Sequence, residues 1–263
     1  MKPKPAHLGL KYAMQFQDES IVEVYHHRSP YADETINVLL GLISDSPRTV
    51  LDVGCASGDI ARRLPEHVER VDAVDFSQAM IAKGKQLPGG DHPHLNWIYG
   101  RIEEVLLQPP YALITAGSSL HWMEWDIVMP LFQRILTPHG YLALVDRGTE
   151  KPDPWSATFV EIVRRYSTNQ EYEPFNLVEE LEQRHLFIQE GTIRTQPIPF
   201  TQSVEDFIRS IHSMNGFSRQ RMGEAATNAF DDEVRKMLAP YQRDGYLTQS
   251  VVDTIVWGKP VSF

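Results

Sequence analysis

The sequence predicts an α/β fold: a doubly wound, mostly parallel sheet of seven strands, with a helical cap inserted between the fifth and last strands. Three observations carry this prediction. β-Branched apolar runs alternate with helical stretches as far as Glu150. The first clear run breaks directly into a glycine loop, in TVLDVGCASGDIARRL from Thr49 to Leu64. Beyond Glu150 the proline-rich KPDPW ends the alternation, and a strand pattern closes the chain.

Strands are expected near Thr49–Val53, Arg70–Val74, Leu95–Tyr99, Tyr111–Thr115 and Tyr141–Asp146, with helices after most of them, including one straight after the glycine loop. Ser77 is placed to cap the helix that follows the second strand. LTPHG, Leu136 to Gly140, reads as a turn before the fifth strand. Helical stretches near Trp155–Thr168 and Leu177–His185 precede an extended segment, Phe187–Thr195. SVEDFIRSIHSM and a polar helix to about Ala239 follow, and SVVDTIVWGKP is the last strand. The expected organisation is a lid over residues 1–30, a ligand-binding core over 31–150, a cap over 151–245 that includes a core strand at about 187–195, and the last strand within 246–263.

The glycine loop has the chemistry of a strand end that holds a nucleotide-like ligand. Gly54 permits a sharp turn, and Gly58 permits close approach of ligand, loop and helix. The second strand ends at Asp75, some twenty residues after the loop, where an acidic side chain grips a ribose through its hydroxyls. The dinucleotide fingerprint G-x-G-x-x-G is absent, since the loop reads Gly54, Cys55, Ala56, Ser57, Gly58, Asp59. Asp59 would face a pyrophosphate with like charge, an objection that a ligand without phosphate removes.

LDVGCASG, VDAVDFSQAM, YGRIEE and ALITAGSSLHW together resemble the successive motifs of the class I S-adenosylmethionine-dependent methyltransferases. YHHRSPY before the loop and HW after the fourth strand are similar to the small-molecule branch that includes the trans-aconitate methyltransferase-like enzymes. The resemblance spans Tyr25 to Asp146 and implies a Rossmann-like methyltransferase fold, S-adenosyl-L-methionine as cofactor and S-adenosyl-L-homocysteine as product. It implies methyl transfer to a small-molecule acceptor, an oxygen (carboxylate or hydroxyl) being favoured, by direct displacement at the sulfonium methyl.

By the same resemblance Gly54, Ala56 and Gly58 lie against the methionine part of the cofactor, Asp75 receives the ribose hydroxyls, and Phe76, with Met80, packs on the adenine. Arg101 stands where many relatives have Asp, so the adenine edge is left to the Ile102 amide. Tyr25 and Arg28 match a Tyr and an Arg that meet the methionine carboxylate, for which a planar guanidinium is suited. Thr115 and Ala116 offer carbonyls near the cofactor amino group. His121 is a candidate general base, with orientation of the cofactor as its other reading; Trp122 and Trp125 are candidates for an acceptor wall, with core packing as theirs.

Composition agrees with an ordinary cytoplasmic enzyme of 263 residues, 42% of them hydrophobic. A net charge of −10 disfavours nucleic acid as the main partner. Cys55 is the single cysteine, so no disulfide forms within the chain, and MKPKPAHLGL lacks the apolar core of a signal peptide. No run suits a membrane span, and no ligand cluster for a metal is expected. Three other readings stay open: a nicotinamide-dependent oxidoreductase, a non-catalytic scaffold of the same fold, and a protein or RNA methyltransferase, whose acceptor motif such as N-P-P-Y does not occur after the fourth strand, where Ala116 to Leu120 reads AGSSL.

Overall fold

A computed structural model describes residues 4–261, so the ends of the expected lid and of the expected last segment lie outside the described residues. Before the first strand the chain forms short helical pieces, α1 (Leu10–Ala13) and α2 (Glu19–Val24), then α3 (Asp33–Gly41). The sheet begins with β1 (Thr49–Val53), β2 (Arg70–Asp75), β3 (Leu95–Tyr99) and β4 (Tyr111–Gly117), with α4 (Gln78–Gln86) between β2 and β3. Next come α5 (Trp125–Ile135) and β5 (Leu136–Thr149). The later chain contains α6 (Ser156–Tyr166), α7 (Leu177–Gln183), β6 (Phe187–Arg194), β7 (Ile198–Ser203), α8 (Val204–His212), α9 (Arg219–Met222), α10 (Glu224–Leu238) and β8 (Tyr246–Pro260).

The strand order is β3-β2-β1-β4-β5-β8-β6, and β7 pairs with β8 beyond this path. The first five strands run parallel, whereas β8 is antiparallel to β5, β6 and β7. The seven expected strands are present and β7 is an eighth. Alternation of side chains sorts the apolar residues onto two faces. Leu51, Val53, Ile114, Leu142 and Leu144 meet α5 through Val128, Met129 and Phe132 on one side. Val50, Leu113, Ala143 and Val145 meet α3 through Ile36 and Leu39 on the other.

Two local expectations need correction. No α-helix follows the glycine loop: the chain turns through Gly58 to Leu64, with a short 3-10 piece at Ala61–Arg63. Only six residues separate Gly58 from Pro65, and proline disfavours a helical residue before it. LTPHG is not a separate turn but the irregular start of β5, where Leu136 already pairs with Tyr111 before the register shifts to Leu113 and Tyr141.

The cap has its own apolar centre. Trp155 just before α6 and Ile162 within it, Phe207, Ile208 and Ile211 from α8, and Phe230, Val234 and Leu238 from α10 pack together with Phe217 and Leu247. α8 is capped by the Ser203 side chain, which accepts from Asp206 N–H at 3.0 Å. β8 reaches from this cluster into the sheet: Tyr246–Val251 pairs with β7, and Val251–Gly258 with β5.

Candidate functional site

A cleft of about 780 Å³, open solvent included, lies at the carboxyl ends of β1, β2 and β4, bordered by Gly54, Val74, Asp75 and Gly117. This is where a parallel sheet whose order reverses at β1 and β4 leaves a crevice. Gly54 has φ +64°, and a Cβ there would come within 2.6 Å of Ser119 Cβ. Both the turn and the approach of Ser119, whose hydroxyl donates to Val53 O at 2.6 Å, therefore require glycine.

Gly58 differs from its expected role. Its φ is +81°, and a Cβ would strike the Trp97 ring at 2.5 Å rather than a ligand, so it permits packing beneath the loop. Ala56 does border the cleft, and takes a left-handed φ of 48° that a glycine would adopt without strain.

Asp75 ends β2 with its carboxylate against the loop. Oδ2 accepts from Ala56 N–H at 2.8 Å and Oδ1 from Ser77 N–H at 2.7 Å. Burial pushes this carboxyl up to about 6, against the lowering effect of those two amides. Each oxygen retains a further lone pair, so a vicinal diol can still donate to both. Phe76, Met80, Arg101 and Ile102 line the same cleft, the arginine held by Glu103 at 3.5 Å and Glu104 at 3.3 Å. Glu103, which also accepts from Glu124 N–H at 2.9 Å, is a cleft residue that the sequence reading missed.

The amino-terminal segment covers the cleft through Leu10, Ala13, Phe16, Tyr25 and Arg28. Gln17 Nε2 donates to Phe76 O at 2.9 Å, tying the segment to the end of β2. Asp18 pairs with Arg221 at 2.6 Å and Gln15 accepts from Gly216 N–H at 2.9 Å, tying it to the cap. The Arg28 guanidinium donates from Nε to Ser213 Oγ at 2.7 Å, from Nη2 to Ser213 O, and from Nη1 to Tyr25 OH at 3.3 Å. Three of its five N–H groups are thus engaged, and no carboxylate pairs with it among the described residues.

Beside the loop lies a small recess with Tyr25, Tyr31, Asp52, Asp59 and Arg147. Arg147 stacks 4.0 Å from the Tyr31 ring and lies 3.4 Å from Asp59, which also meets Arg62 at 3.4 Å. Asp52 accepts from Thr115 Oγ1 at 2.8 Å, and its burial pushes the carboxyl up to about 7. The Tyr31 hydroxyl is buried there without a partner. Tyr31 and Arg147 were not among the expected site residues.

A second space of about 1340 Å³, again with its open mouth, lies between the sheet end and the cap. Phe16, Arg28, Ser118 and Trp122 border both spaces. His121 faces this chamber and not the cleft, packed against Trp122 at 4.7 Å and Phe175 at 6.0 Å between ring centroids. Burial, reinforced by nearby Lys4 and His7, pushes its imidazole down to about 3, so it is neutral near pH 7 and a poor proton acceptor.

Of the two readings of His121, the lowered imidazole weighs against the general base. Of the two readings of Trp125, core packing is the one the structure supports: it is 3% exposed, donates from Nε1 to Leu120 O at 2.9 Å, and packs in the core from the first turn of α5. Ala116 is buried in β4 and borders neither space. Among the described residues no His, Cys, Asp and Glu cluster could hold a metal, and no helix is long and apolar enough to cross a membrane.

Residues 50–140 match the family model for a methyltransferase domain. Over 115 residues the chain is 29% identical to a malonyl-[acyl-carrier protein] O-methyltransferase of Anoxybacillus flavithermus, covering 43% of this chain and 44% of that one. It therefore spans less than half the length of that curated relative. A structure described as a type II methyltransferase from Anaeromyxobacter dehalogenans superposes with a TM-score of 0.62 at 21% identity, covering 90% of this chain and 99% of that one. An S-adenosylmethionine-dependent methyltransferase from Thiobacillus denitrificans, solved with S-adenosyl-L-homocysteine, gives 0.53 at 14% identity, over 92% and 97% of the two chains. The fold is the Rossmann-like methyltransferase fold. Residues 50–140 of this fold are those similar to a methyltransferase domain.

Proposed function

We propose that the protein is an S-adenosyl-L-methionine-dependent methyltransferase acting on an oxygen of a small-molecule acceptor. The observation that carries this reading is the Asp75 carboxylate, presented in a cleft that shares Phe16, Arg28, Ser118 and Trp122 with a second chamber. One space suits a nucleoside with an amino-acid tail and the other an acceptor. The carboxylate oxygen of the substrate named for the Anoxybacillus relative is of the proposed acceptor type.

In this reading Asp75 receives the ribose hydroxyls, Phe76 and Met80 flank the adenine, and the Ile102 amide meets its edge. Gly54 and Ala56 lie along the methionine chain, whose carboxylate takes the two N–H groups that Arg28 has left, beside Tyr25. The cofactor supplies a methyl already activated on a sulfonium, so the protein's task is alignment and exclusion of water. The lid segment shields the cleft, and Trp122 sits where the two ligands meet. With His121 neutral and weakly basic, alignment rather than proton removal carries the reaction. A cytoplasmic location fits the single cysteine.

A nicotinamide enzyme fits less well. The loop leads into turns instead of a helix N-terminus, and Asp59 stands beside it. Calorimetric titration separates the two: S-adenosyl-L-homocysteine should bind in the micromolar range or tighter, and NAD should not. Binding of NAD alone would overturn the reading.

A further inference from the structure

We propose that the acceptor is a carboxylic acid with an elongated apolar or aromatic body, its carboxylate lodged beside Trp122 near Arg147 and its body held against the cap. This rests on the methyltransferase reading above and deepens it. The chamber wall away from the cleft is built from Trp155, Phe159, Phe207 and Ile211 of the cap, with Phe200 of β7 and Val251 of β8. Such a surface gains free energy by covering carbon, while Gln202, Asn215 and Gln249 add polar groups to the same chamber. Trp155 stands 5.5 Å from Phe159 and 5.2 Å from Phe207, ring centroid to centroid, so the aromatic wall is continuous.

Charge at the cleft end of the chamber is unbalanced toward the positive. Arg147 faces it, beside Ser29 and Ser118. Arg28 is taken by the methionine carboxylate in the reading above, whereas Arg147 and Arg62 share the single carboxylate of Asp59, which leaves one positive charge over. The carboxylate on the chamber wall, Asp153, lies in the segment between β5 and α6, where it accepts from Gln249 Nε2 at 2.7 Å. An anionic head group is therefore favoured beside Arg147. His121, the histidine on this wall, is a poor base, which suits an acceptor that arrives ionised. The step balances without proton transfer: a carboxylate oxygen forms the new O–C bond, the S–C bond breaks with its electron pair remaining on sulfur, and a neutral methyl ester results.

The test uses the full chain with S-adenosyl-L-methionine and the straight acids butyrate, hexanoate, octanoate and decanoate, beside decanol, decylamine and propane-1,2,3-tricarboxylate, with methylated product read by mass spectrometry. The expected result is a kcat/KM that climbs with chain length, by up to about fourfold per methylene, and no methylated decanol or decylamine. Ser156→Phe, which adds a ring to the chamber wall, should raise KM for decanoate tenfold or more while S-adenosyl-L-homocysteine affinity stays within twofold. A chain that binds S-adenosyl-L-homocysteine but prefers the tricarboxylate, the alcohol or the amine, or esterifies none of the acids, overturns the inference and leaves the cofactor reading standing. Failure to bind S-adenosyl-L-homocysteine overturns both.

Discussion

Arg28 and Ser213 lie 185 positions apart in sequence, and the arginine donates to both the hydroxyl and the carbonyl of the serine. Ser213 caps the end of α8, so the contact fastens the lid to the cap at the point where cleft and chamber meet.

Removing the guanidinium should therefore be felt by the cofactor. Arg28→Ala is expected to weaken S-adenosyl-L-homocysteine tenfold or more, since charge-assisted hydrogen bonds contribute about 1.5–3 kcal/mol each. Ser213→Ala keeps the charge and the backbone acceptor, and should cost about 1 kcal/mol or less. Calorimetry on both variants checks this order, and equal losses would show that Arg28 acts only as a strut.

Asp75 links affinity to pH. Its carboxyl and that of Asp52 are pushed up to about 6 and about 7, both by burial first. For a carboxyl raised on folding, the folded state binds the proton more readily, so the ligand-free protein should gain thermal stability as pH falls from about 8 toward about 5. Cofactor affinity should move the opposite way, weakening as Asp75 protonates below about 6 and loses one diol acceptor. Asp75→Ala should lower S-adenosyl-L-homocysteine affinity at least tenfold and flatten its pH profile. Parallel melting and titration series read both slopes, and an unchanged affinity in a folded variant removes Asp75 from the ribose site.

His121→Ala should reduce turnover by less than about tenfold, well short of the 100- to 10,000-fold loss typical of a general base. Its imidazole, at about 3, has no proton affinity to offer near neutrality. Steady-state kinetics on an identified acceptor decide this. A loss above 100-fold with intact cofactor affinity would restore the base.

Inside the cap, His212 is fully buried, with Nδ1 2.8 Å from Phe217 O and Nε2 2.6 Å from Asp231 Oδ1. Burial alone would raise the Asp231 carboxyl, but His212 and Arg219 outweigh it and hold it below the usual range. A lowered carboxyl stabilises the fold above its unfolded value and loses that contribution as pH falls through the folded one, here below about 4. Asp231→Asn should cost about 3 kcal/mol at pH 7 by leaving its partners buried and unpaired. Urea unfolding at pH 7 and pH 3.5 checks both, the difference between variant and parent narrowing in acid.

Legibility followed locality. Five parallel strands, Asp75 and Gly54 are written in short stretches of residue type and spacing, and the structure places them together. The choice between the two readings of Trp125 was legible too, because Trp125, Val128, Met129 and Phe132 recur at i, i+3, i+4 and i+7 and mark the buried face of α5. β7 was concealed by Pro199 in a short edge strand, where proline is tolerated but strand patterning is weak. Arg147 near Asp59 and Arg28 on Ser213 are long-range pairings, 88 and 185 positions apart, that no local pattern announces.

The wall common to both spaces has a kinetic consequence. Phe16, Arg28, Ser118 and Trp122 form part of the chamber floor only where the cleft leaves off. A ligand in the cleft completes that floor, so the acceptor meets a finished surface only after the cofactor has arrived. The expected order is compulsory, cofactor first and its demethylated product last. Initial-rate patterns should then show S-adenosyl-L-homocysteine competing with S-adenosyl-L-methionine but not with the acceptor, and random-order patterns would mean that the chamber is complete on its own.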